Sequence, residues 1–147
     1  MIGRRTGIER KPITRKGTRA LSSLGRSEFS RLKERADDAF RKFIVWRDRC
    51  CSGCRVEINL ECAHFFTRSR ISTRWDRRCA TTLCHGCHGH YTTHTYEWTE
   101  GLIAMLGQAG YDKLRMLSQS VPPDRMGLAR AAVRDGHAEI DDVGKSG

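Results

Sequence analysis

The spacing of apolar residues changes along the chain, and each change predicts a different element. Between residues 27 and 48, Phe29, Leu32, Ala36, Phe40 and Phe43 recur at steps of three and four, the period of a helix with one buried face. Ser27 stands where an N-cap belongs. After Cys51 the pattern breaks into short apolar pieces, residues 56 to 60 and 62 to 66, which predict the two strands of a hairpin. Residues 67 to 79 are polar and read as a basic loop, with Arg68, Arg70, Arg74, Arg77 and Arg78 against Asp76. A helix carrying His88 and Tyr91 follows, and Trp98, Leu102, Ile103 and Leu106 continue apolar up to Gly107, where the core is expected to end. Residues 111 to 117 and 124 to 133 predict two short helices separated by Pro122 and Pro123, and the chain is polar from Asp135 onward. The elements together predict a small α+β fold.

Length and composition narrow this picture. A chain of 147 residues suits one domain with tails, and 38% hydrophobic against 30% charged residues leaves it a small core. Trp46, Trp75 and Trp98 are therefore expected inside rather than as base-stacking groups. No apolar run approaches the roughly 18 residues of a membrane helix, and the N-terminus has no apolar stretch behind its charges, so neither membrane spanning nor secretion is expected.

Charge is distributed unevenly. The net charge is +10, and residues 1 to 26 hold eight Lys or Arg against one acid, Glu9, whereas residues 108 to 147 hold six of each sign. That front segment reads as a disordered basic arm that seeks a polyanion; the plainer alternative is a solvated tail. The expected organisation is the arm at 1 to 26, a domain at 27 to 107 including the leading helix, and a helical, polar C-terminal extension at 108 to 147.

Seven cysteines without a secretory signal point to metal rather than disulfides. Two Cys-x-x-Cys pairs, Cys51/Cys54 and Cys84/Cys87, can each present two thiolates from a tight turn, and together they complete the tetrahedral shell that zinc prefers. Two redox dithiols are the alternative. Cys50 and Cys62 are expected to be packing thiols.

Taken as an ordered set, Cys51-x-x-Cys54, Leu60-Glu61-Cys62-Ala63-His64-Phe65, Arg74-Trp75-Asp76 and Leu83-Cys84-x-x-Cys87-His88 resemble the HNH endonucleases of the ββα-metal class. The similarity lies with the phage-borne branch that includes NinG-like recombination proteins and terminase-associated nucleases, and it covers about residues 30 to 106. The resemblance implies a ββα-metal core braced by a structural zinc on Cys51, Cys54, Cys84 and Cys87. It implies cleavage of duplex or branched DNA in a bacterial host cytoplasm, alongside phage recombination or packaging proteins, with no membrane partner. His64 takes the place of the general base, as a largely neutral imidazole can. His88 takes the place of a ligand to a catalytic divalent cation, Mg2+ or Mn2+, that stabilises charge on the leaving oxygen. Arg68, Arg70, Arg74, Arg77 and Arg78 are expected to line the nucleic-acid approach. Two positions depart from the family pattern. Ala63 stands where many members carry an acidic ligand, which leaves Asp76, His90 and His94 as candidates for the second ligand. Cys79 stands where the family's middle Asn falls. These departures keep open a second function, a zinc-dependent nucleic-acid-binding protein without catalysis.

Overall fold

The structure, a computed structural model, describes residues 27 to 143; the basic arm at 1 to 26 lies outside them. Its elements are α1 (Glu28–Asp48), β1 (Leu60–His64), a 3-10 turn (Arg77–Cys79), β2 (Ala80–Cys84), α2 (His85–Thr93), α3 (Thr95–Gln119) and α4 (Arg125–Val143). Among the described residues, four helices and one two-stranded antiparallel sheet make a small α+β fold. Among the described residues, no helix is long and apolar enough to cross a membrane.

The amphipathic helix forms as its period predicts. Ser27 Oγ accepts the Ser30 N–H at 3.2 Å, satisfying one of the donors that a helix start leaves open. Ala36, Ala39, Phe40, Phe43 and Ile44 form the buried stripe. The helix ends at Arg49, left-handed at φ 62, and Asp48 Oδ2 then accepts the Thr82 N–H at 2.8 Å and the Thr81 hydroxyl at 3.1 Å. The end of α1 is thereby tied to β2.

The hairpin differs from the expected one. β1 starts at Leu60 and pairs with β2, from Leu60 opposite Cys84 to His64 opposite Ala80. Residues 56 to 59 instead close the turn after Cys51: the Cys51 N–H donates to the Val56 carbonyl at 2.8 Å, Asn59 is left-handed at φ 52, and Ile58 is 66% exposed. Alternation over 56 to 60 is compatible with a strand, but a strand forms only where a partner exists. That partner, β2, is buried on both faces from Ala80 to Leu83, so no two-residue period announces it.

Apolar clusters lie on both faces of the sheet. Phe40, Phe43, Ile44 and Ala80 pack with Trp46, Cys62 and Trp75 on the α1 side. Cys51, Ala63 and Leu83 pack with Val56, Leu60, Tyr91 and Trp98 on the α2 side. All three tryptophans therefore join the core.

The core also continues beyond Gly107. That glycine sits at φ 71, ψ 162, outside helical geometry, and divides α3 into two helical stretches, and Leu114 and Ser118 are buried beyond the break. The helical stretches on either side of Pro122 and Pro123 run longer than predicted, and α4 packs along α1. Ala129 is fully buried, and a Cβ at Gly136 would lie 3.1 Å from the Ala39 backbone, so the helices approach where a side chain would separate them.

Candidate functional site

Four thiols converge where the turn after α1 meets the start of α2. The Sγ atoms of Cys51, Cys54, Cys84 and Cys87 all lie within 4.8 Å of one another, and Cys54 and Cys84 are 3.6 Å apart. Thiolates around a tetrahedral zinc, with bonds of about 2.3 Å, stand about 3.8 Å apart. The Cys54 N–H points to Cys51 Sγ and the Cys87 N–H to Cys84 Sγ, both at 3.5 Å, so each turn shelters a thiolate. Burial works to raise the Cys51 pKa, but the N–H groups of Cys54, Cys84 and Gly53 outweigh it and bring it down to about 6. Cys87 is pushed up to about 12 by burial and by the neighbouring Cys84, Cys54 and Cys51. Four sulfurs this close resist ionising together unless a cation lies among them. Gly53 permits the approach, since a Cβ there would sit 3.0 Å from Cys87 Sγ. The cluster can hold a structural metal ion such as zinc.

His64 closes β1. Its Nε2 lies 3.0 Å from the Arg74 carbonyl; because a carbonyl only accepts, Nε2 carries the proton and Nδ1 keeps its lone pair. Burial lowers the His64 pKa, and the Arg68 and Arg74 charges push the same way. The ring is neutral near pH 7.

The carbonyl that orients His64 is itself held from α1. Arg74 is buried and forks onto Asp37, with Nε to Oδ1 at 2.7 Å and Nη2 to Oδ2 at 2.6 Å, while Nη1 donates to the Arg68 carbonyl. The Trp75 indole adds a third donor to Asp37 at 3.0 Å. Arg74, expected on the nucleic-acid approach, is thus turned inward as a structural cation. Arg68 and Arg70 are exposed. Arg78 pairs with Asp76 at 2.7 Å but keeps 58% of its side chain exposed, and the Arg77 guanidinium lies 4.4 Å over the Phe43 ring.

The acidic partner of His88 is Glu61, which the sequence reading misses. His88 Nδ1 lies 2.6 Å from Glu61 Oε2, and His85 Nδ1 lies 2.9 Å from Oε1 of the same carboxylate. Strand periodicity carries the missed signal: Glu61 shares its face of β1 with Ala63, two residues on, where the family pattern expects an acid. The other candidates are engaged elsewhere. Asp76 caps the 3-10 turn by accepting the Arg78 N–H at 2.9 Å, and His90 and His94 group with Glu97. The register of β1 turns Glu61 and Ala63 toward α2, and Cys62 and His64 toward α1. His64 and the Glu61–His88 pair therefore flank one strand from opposite sides.

Cys62 and Cys79, outside the thiol cluster, are packing groups. Burial pushes the Cys62 and Cys79 thiols up to about 12. Cys79 braces the chain beside His64 through its carbonyl, which accepts the Phe65 N–H at 2.8 Å. No family model, no curated protein and no solved structure matches this chain, so its similarity to other proteins rests on the motifs themselves.

Proposed function

We propose that this chain is a metal-dependent DNA endonuclease of the HNH type, braced by zinc on its four clustered cysteines. The observation that carries the reading is His64: a half-buried, neutral imidazole whose Nε2 is tied to a carbonyl, leaving Nδ1 to take a proton from water. The deprotonated water attacks phosphorus, and the bond to the 3′ oxygen breaks. Exposed Arg68, close enough to His64 to influence its charge, approaches the phosphate. Glu61 and His88 offer an oxygen and a nitrogen donor that suit a divalent cation. Such a cation, when bound, supplies positive charge to the leaving oxygen.

Zinc-loaded protein with supercoiled plasmid and Mg2+ or Mn2+ is expected to nick or linearise the DNA, and EDTA to stop it. His64→Ala is expected to lose about 100-fold or more in rate while keeping its zinc and its DNA retention. Because burial lowers the His64 pKa, the rate is expected to rise with pH through a midpoint below about 6.5. Glu61→Gln and His88→Ala are expected to raise the cation concentration needed. A folded, zinc-loaded His64→Ala protein that cuts as fast as the parent would overturn the base assignment. The placement of His64 and Glu61 on opposite faces of β1 favours a second reading, a zinc-braced nucleic-acid-binding module. That reading predicts retardation of the plasmid without cleavage in either ion.

A further inference from the structure

His90, His94 and Glu97 lie at the junction of α2 and α3. The junction breaks the helix geometry at His94 but keeps the backbone ladder. The His94 N–H reaches the His90 carbonyl at 3.0 Å, and the Trp98 N–H reaches the His94 carbonyl at 3.2 Å. Residues spaced by four and then three positions therefore stay on one face. One ring nitrogen from each histidine and one oxygen of Glu97 lie within 4.8 Å of one another. His90 Nε2 already meets Glu97 Oε2 at 2.9 Å, and the two imidazoles stack with centroids 4.1 Å apart.

A second observation concerns the back of His94. Its Nδ1 lies 2.9 Å from the His90 carbonyl, which can only accept, so Nδ1 carries the proton and Nε2 keeps its lone pair. The Thr93 hydroxyl also sits 2.9 Å from Nδ1. A ring braced in this way by a backbone carbonyl is the usual outer-shell arrangement of a metal-ligating histidine.

We propose that His90, His94 and Glu97 form a separate site for a first-row divalent ion of the zinc class, which clips the last turn of α2 to the first turn of α3. Donors bound to zinc at about 2.0 to 2.1 Å stand about 3.3 Å apart, so the His90–Glu97 pair, now 2.9 Å apart, opens slightly around the ion. All three side chains are exposed, which leaves them free to make these adjustments and leaves the remaining coordination positions to water. Two imidazoles and one carboxylate suit zinc, cobalt or nickel, whereas Mg2+ prefers six oxygen donors. The site requires no DNA cleavage.

The test is calorimetric titration of zinc chloride into full-length protein that already holds zinc on its four cysteines. One further equivalent is expected to bind, and millimolar Mg2+ is expected not to displace it. His94→Ala and Glu97→Gln are each expected to weaken this step by at least about tenfold, with cysteine-bound zinc and far-ultraviolet circular dichroism unchanged. Glu61→Gln is expected to leave it intact. Uptake of no ion beyond the cysteine-bound one, or uptake that His94→Ala and Glu97→Gln leave unchanged, overturns the proposal.

Discussion

Asp37 receives three donors, two from Arg74 and one from Trp75, while Arg74 presents its own carbonyl to His64. One carboxylate on α1 thus fixes the loop that orients the proposed base. Asp37→Asn keeps the shape but leaves the buried Arg74 charge unpaired, and a loss of about 2 to 4 kcal/mol is expected in urea unfolding. Burial works to raise the Asp37 pKa, but the Arg74 hydrogen bond and charge overcome it and hold the carboxyl below its ordinary value. Its folded pKa is therefore below its unfolded one. The stabilisation is complete above an unfolded pKa of about 4 and is lost as pH falls through the lowered folded value. Asp48 and Asp76 are lowered too and act in the same window. His64 adds an earlier loss, beginning as pH falls below about 6.5, because the unfolded imidazole protonates first. The parent is expected to lose stability in both windows. Asp37→Asn should follow it through the first and show a shallower acid limb below about pH 4; an equally steep limb would remove the Asp37–Arg74 pair as its cause.

The elements around the thiol cluster are short, since β1 and β2 have five residues each and α2 has nine. An isolated helix of that length is marginal, and a two-stranded sheet is no better. Four cysteines join the turn after α1 to the end of β2 and the first turn of α2, so a metal ion would hold these pieces together where the apolar cluster is small. Structural zinc supplies on the order of 10 kcal/mol in small zinc-finger peptides. Chelation, or Cys84→Ala, is expected to undock α2 and change the fluorescence of Trp98, which stacks on Phe65 at 4.2 Å and packs on Tyr91 at 5.0 Å. Zinc should restore the chelated parent but not the variant. Metal analysis finding no zinc in natively folded protein would contradict this account.

Across the whole molecule, positive charge is concentrated in residues 1 to 26, where eight basic residues face one acid. Each phosphate neutralised on duplex DNA contributes about −0.9 to the slope of log affinity against log salt. Deleting residues 1 to 26 is therefore expected to flatten that slope by several units and weaken binding to all sequences alike; an unchanged slope would identify the arm as a solvated tail. The features legible in the sequence are those set by neighbours along the chain. The period of α1 and its Ser27 cap arise from local backbone bonding, and the two Cys-x-x-Cys turns place their own thiols. His64 was legible as a motif, but its tautomer was not, because the Arg74 carbonyl arrives from ten residues away. Long-range contact decided the rest. It paired β1 with β2 instead of residues 56 to 59, turned Arg74 inward to Asp37, brought Glu61 to His88, and laid α4 on α1 beyond Gly107. In each case the outcome depended on which distant group supplied a hydrogen-bond partner, a counter-charge or apolar cover, and no local period encodes that choice.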